Sequence, residues 1–109
     1  MRAMTGVHTA SARESAVARL RDPTGRLYPL TGAATRVGRL ADNDIVLNHD
    51  DVSRHHAVII DTGGSFVITD LDSANGVHVQ RQRIRPSATL ADGDCISICD
   101  HEFTFEIRR

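Results

Sequence analysis

The sequence predicts an all-β protein, an antiparallel β-sandwich of about eleven short strands. Three observations predict it. Runs of β-branched, aromatic and aliphatic residues recur at intervals of about 8–12 residues. Gly, Pro, Asn and Asp stand between most of these runs, where chain reversals need them. No internal stretch sustains the three-and-four spacing of an amphipathic helix. The length of 109 residues suits one domain with one core. A content of 40% hydrophobic and 25% charged residues is a globular balance.

Residues 1–15 are small and polar and read as a flexible N-terminal tail, with a single domain over 16–109. A weak helix over 10–20 is the alternative for the end of that tail. Residues 17–21 alternate apolar and charged, and Asp22-Pro23-Thr24-Gly25 then makes a turn into a second strand over 26–30, so these two form a hairpin. A short β-branched run over 35–38 follows. After the polar turn of residues 41–44 comes Ile45-Val46-Leu47. Strands over 57–61 and 66–70 flank Thr62-Gly63-Gly64-Ser65, a second hairpin. Residues 77–79 continue from Asn75-Gly76, itself a hairpin-type dipeptide. Ile84 is a lone apolar residue among Arg and Gln. Strands over 95–98 and 102–107 close the chain, and the last one puts Phe103, Phe105 and Ile107 on one face. No internal repeat or second domain is evident.

Charge narrows the function. A net charge of -1 lacks the basic excess that nucleic acid or an anionic membrane surface requires. All 13 basic residues are Arg, which reads first as genome composition, although Arg is also the better bidentate partner for phosphate. Cys95 and Cys99 on one strand would stand ~13 Å apart, beyond disulfide reach. They read as free thiols of a cytoplasmic protein. No apolar run reaches the length of a signal peptide core or a membrane span.

Three polar clusters end apolar runs, where loops carry function on a rigid frame. The central one is Asp51-Val52-Ser53-Arg54-His55-His56-Ala57, with Val37-Gly38-Arg39 upstream and Ser73-Ala74-Asn75-Gly76 downstream. Each has an ordinary reading when taken alone. Arg39 is a surface cation, Ser53 a local turn or cap residue, and His56 a buried, hydrogen-bonded imidazole. Asn75-Gly76 is a hairpin turn. His55 would point away from His56 on a strand, so the pair makes a poor metal site, and no metal or cofactor is expected. Together the clusters offer a fixed cation, hydroxyls and an amide, with no evident nucleophile–base pair.

Gly38-Arg39, then Ser53-Arg54-x-His56 fourteen residues after Arg39, then Ser73-x-Asn75-Gly76, resembles the forkhead-associated (FHA) domain. The resemblance runs from about Val17 to the C-terminus. It is closest to the C-terminal FHA module of bacterial SARP-type transcription regulators, without their preceding segments. It implies an eleven-stranded FHA/SMAD-like sandwich that binds phosphothreonine peptides at one end. On that pattern Arg39 and Ser53 hold the phosphate, and Arg54 adds field or a second contact. Asn75 binds the peptide backbone, while Gly38, His56 and Gly76 are architectural, His56 bracing the Ser53 loop. Partners would be phosphothreonine-containing proteins, a Ser/Thr protein kinase or its substrates, with no direct nucleic acid and no membrane.

The sequence departs from the family pattern twice. Ala74 stands where many members carry a hydroxyl, which removes one phosphate contact. Cys99 stands where Gly is common and alters the loop over 99–101, expected to touch peptide residues downstream of the phosphothreonine. The implied role is a non-enzymatic adaptor or competitor, acting as a stand-alone module, with Thr5 or Thr9 as phosphorylation candidates that could fold back on the site. The alternative is a phospho-independent homo-oligomeric assembly module. An acyl-transfer triad from Ser53 with His55 or His56 is disfavoured, because sequence neighbours on a strand do not face each other.

Overall fold

The computed structural model describes residues 17–108. The expected tail over 1–15, with Thr5 and Thr9, lies outside them. Eleven strands form: β1 (Val17–Arg21), β2 (Leu27–Pro29), β3 (Ala34–Gly38), β4 (Ile45–Val46), β5 (Ala57–Asp61), β6 (Phe66–Asp70), β7 (His78–Val79), β8 (Gln82–Arg83), β9 (Ser87–Thr89), β10 (Cys95–Ile98) and β11 (His101–Arg108). They make a six-stranded sheet in the order β2-β1-β11-β10-β7-β8 and a five-stranded sheet in the order β4-β3-β5-β6-β9. Among the described residues there is no helix, and β1 takes the end of the stretch that could have been helical.

The core follows from the period of two. Ala18 and Leu20 of β1, Phe103 and Phe105 of β11 and Ile96 and Ile98 of β10 point inward from one sheet. Val37, Ala57, Ile59, Phe66 and Ile68 face them from the other. Phe66 and Phe105 meet across the sheets with ring centroids 5.6 Å apart, and Tyr28 stands edge-on to Phe103 at 5.6 Å. The hairpins expected at Pro23 and Gly63 both form, in register Leu20↔Tyr28 and Ile59↔Ile68.

Three features differ from the sequence reading. The sandwich is mixed, because β4 runs parallel to β3, with Val37 opposite Ile45. A short link suffices because Asp44 folds back on β3: its Oδ2 accepts from Arg36 N at 2.8 Å and its own N–H donates to Arg36 O at 2.9 Å. Asn75-Gly76 is no hairpin turn, since β6 and β7 lie in different sheets. Gly76 alone of the pair takes a positive φ, +82°, whereas the two-residue hairpin turn typical of Asn-Gly needs both. Finally, β8 and β9 flank Ile84, which is buried despite its charged neighbours.

Alternate strand ends put the connections after β3, before β5, after β6 and between β10 and β11 at one end of the sandwich. On an outer sheet face, Glu106 accepts from Arg19 Nε at 2.8 Å and from Arg21 Nε at 3.0 Å. Those bonds, Arg21's foremost, pull its carboxyl down from 4.5 to about 2. The depressed carboxylate supports the fold fully above its unfolded value and loses that support as pH falls toward about 2. Glu106→Gln should therefore flatten the acid limb of a plot of thermal midpoint against pH between 4.5 and about 2. An unchanged acid limb would show that the pair adds nothing.

Candidate functional site

The loop before β5 is held by the imidazole at its end. His56 is fully buried. Its Nδ1 accepts the Ser53 amide at 3.0 Å, so the ring proton sits on Nε2 and is donated to Gly76 O at 2.8 Å. Its own N–H donates to Val37 O at 2.9 Å, and its carbonyl accepts Leu71 N at 3.0 Å. One residue thus joins β3, the Ser53 loop and the loop over 71–76. The ring meets the Ser53 amide and not its hydroxyl, which is the wrong pairing for a nucleophile and base.

Gly38 lets the loops approach. A methyl group there would run into the Arg54 carbonyl and stand 2.8 Å from Asn43 Nδ2. Asn43, which sequence reasoning passed over as a turn residue, is buried and donates to Leu40 O at 2.8 Å and to Arg54 O at 2.9 Å. With Arg39 N on Ser53 O at 3.0 Å, these bonds lash the Arg39 and Ser53 loops together. Nothing local marks Asn43 out from the Asp residues around it.

Arg39, half-buried, donates its Nε to Val52 O at 3.0 Å. That bond sets the plane of the guanidinium and leaves its two terminal nitrogens for a ligand. Ser53 Oγ accepts the Ala74 amide at 3.0 Å, so its proton is available to an incoming acceptor. Asn75 donates to Asp51 O at 2.8 Å, and Cys99 Sγ donates to the same carbonyl at 3.1 Å. Ser73 Oγ accepts Gly76 N at 2.9 Å and so shapes the Asn75 turn from inside. Cys99 has φ +54°, a conformation that favours glycine. Burial first, and then the Asp51 charge, push its thiol pKa up.

Arg39, Ser53, Arg54 and Asn75 all line one open cleft of ≈ 560 Å³. Asp50, Asp51, Leu71, Ala74 and His55 complete its wall. Arg54 is exposed. His55 turns outward and bonds Asp42 with Nε2 3.0 Å from Oδ2, which holds that carboxyl below its ordinary range. The cleft therefore carries two guanidiniums and a hydroxyl, grouped for an anion. No group of three or more metal-ligating side chains occurs among the described residues, and no described helix is long and apolar enough to cross a membrane. Cys95 and Cys99 are both free.

His56→Ala would strip partners from the Ser53 amide and the Gly76 carbonyl and leave a cavity. A cost of about 3 kcal/mol is expected by urea denaturation, and a change below about 1 kcal/mol would show the loops to be held by other bonds.

Residues 35–99 match the FHA domain family. The chain is 64% identical over 100 residues to the transcriptional regulatory protein EmbR of Mycobacterium tuberculosis, covering 91% of this chain and 26% of that protein. The expected likeness to a module of bacterial transcription regulators is met by that match, of which the chain spans about a quarter. It is 35% identical over 104 residues to the glycogen accumulation regulator GarA of Mycolicibacterium smegmatis, covering 94% of this chain and 65% of GarA. The solved structure of M. tuberculosis EmbR in complex with a low affinity phosphopeptide aligns with TM-score 0.82 at 58% identity, over 92% of this chain and 29% of that one. A structure from work on phosphothreonine-dependent FHA domain interactions aligns at 0.79 with 29% identity, over 85% and 98%. Fold, motif spacing and family match agree: the chain belongs to the FHA domain family.

Proposed function

We propose that this chain is a phosphothreonine-peptide reader in Ser/Thr protein kinase signalling. The observation that carries this reading is the convergence of free Arg39 terminal nitrogens, the Ser53 hydroxyl and Arg54 on one open cleft. A phosphothreonine brings a charge near −2 and three acceptor oxygens at neutral pH, which match a guanidinium and a hydroxyl. Arg39 and Ser53 hold the phosphate, and Arg54 adds a second cationic contact. Asn75, locked to the Asp51 carbonyl, offers its remaining amide hydrogen and carbonyl to the peptide main chain. Gly38, His56 and Gly76 keep the loops in place. The phosphopeptide bound to the EmbR relative supports the same ligand class.

The role is binding, not catalysis, because the cleft pairs no hydroxyl with a base. Acting as an adaptor or competitor in the cytoplasm, the domain would engage a phosphorylated kinase or its substrates.

Calorimetric titration with a phosphothreonine peptide pool and its unphosphorylated twin tests this. Binding should be confined to the phosphorylated pool and fall about a hundredfold in Arg39→Ala. Equal binding of both pools, or none, would remove the reading and favour an assembly module. Ala74 supplies a gain-of-function counterpart. Its backbone amide already holds Ser53 Oγ, so a hydroxyl at this position lies beside the phosphate-binding group. Ala74→Thr should tighten binding of the phosphorylated pool by up to about tenfold. No gain would mean that residue 74 does not face the phosphate.

A further inference from the structure

The loop over 71–76 has two sides. One side lines the cleft through Leu71, Ala74 and Asn75. The other borders a second concavity of ≈ 430 Å³, whose lining includes Asp70, Asp72, Arg83 and Arg85. Arg81, Arg83 and Arg85 occupy alternate positions along the β7–β8 hairpin and its exit, and all three are exposed.

Arg83 lies directly on the recognition loop. A methyl group on Gly76 would stand 2.6 Å from Arg83 Nε and 2.9 Å from Cζ, so the guanidinium covers the residue next to Asn75. None of the three arginines makes an ion pair among the described residues. Elsewhere arginines are engaged: Arg19 and Arg21 share Glu106, and Arg26 lies over the Tyr28 ring. Asp70 and Asp72 are close, but Asp70 Oδ1 is occupied by the Ser73 amide at 3.0 Å. Three guanidiniums against two carboxylates leave this flank positive. The opposite flank of the cleft carries Asp50 and Asp51, so charge is polarised across the recognition end.

We propose that Arg83, with Arg81 and Arg85 beside it, forms an anion subsite continuous with the cleft. It takes an anionic side chain of the same extended phosphopeptide, a carboxylate or a second phosphate. The proposal rests on the reading of Arg39 and Ser53 as the phosphothreonine site. An extended peptide advances about 3.3 Å per residue, so a ligand lying on Asn75 has Arg83 within reach a few residues along. Planar guanidiniums grip carboxylate and phosphate alike.

The test is fluorescence anisotropy with peptides of one phosphothreonine core. One set has neutral flanks, one scans a single Asp along each flank, and one scans a second phosphothreonine. At one register, Asp should tighten binding about threefold, and the second phosphate about tenfold. Both gains should vanish in Arg83→Gln and shrink at high salt. Affinity for the neutral-flank peptide should stay unchanged in that variant. Arg81→Gln with Arg85→Gln, leaving Arg83 in place, should reduce the gains in part. No gain at any register, or equal gains in wild type and Arg83→Gln, would overturn the subsite while leaving the phosphothreonine reader intact. Loss of phosphorylation-dependent binding of the neutral-flank peptide in the wild type would overturn both. A gain from the second phosphate but not from Asp assigns the subsite to phosphate alone.

Discussion

The recognition end depends on the four hydrogen bonds of His56. A buried imidazole can serve two partners only if its tautomer is settled, and here the Ser53 amide on Nδ1 and the Gly76 carbonyl on Nε2 settle it. Its main chain meanwhile ties Val37 and Leu71. Loops that leave three different strands are thereby held in one frame without a helix or metal among the described residues. The residue names no ligand and touches none of the exposed cleft groups, yet the position of each of them follows from it.

Around that frame the site is built mostly from backbone carbonyls. The Val52 carbonyl orients Arg39, the Asp51 carbonyl receives Asn75 and Cys99, and the Arg54 carbonyl receives Asn43. Each side chain that faces the cleft spends some of its hydrogen-bonding capacity on the protein and keeps the rest for a ligand. Arg39 retains its terminal nitrogens, and Ser53 its proton. Ordering these groups in the free protein lowers the entropy cost of gripping a phosphate. Gly38 makes this possible by allowing two loops to pass closer than any side chain would permit.

Charge at this end is divided. Arg39 and Arg54 are central, carboxylates of Asp50 and Asp51 stand on one wall, and the arginines of the β7–β8 hairpin stand beyond the other. A protein of net charge -1 can therefore attract a dianion locally. Close, partly desolvated pairs outweigh a distant and screened net charge. The outer Glu106 pair with Arg19 and Arg21 shows the other use of arginine here, support of the sheet.

Much of the fold was legible in the sequence because turns and alternation are local. Asp22-Pro23-Thr24-Gly25 and Thr62-Gly63-Gly64-Ser65 specify their hairpins within a few residues, and Phe103 and Phe105 announce an inward face through a period of two. The spacing of Gly38-Arg39, Ser53-Arg54-x-His56 and Asn75-Gly76 likewise marked the loops that meet at the cleft. Tertiary structure alone decided the parallel pairing of β4 with β3, the crossing between sheets at Asn75-Gly76, and the burial of Ile84 between β8 and β9. It alone brought Asn43 under Arg54, gave Asn75 and Cys99 one shared acceptor, and laid Arg83 over Gly76. The physical reason is range: a turn is determined by the residues that make it, whereas these contacts depend on the register of strands far apart in the chain.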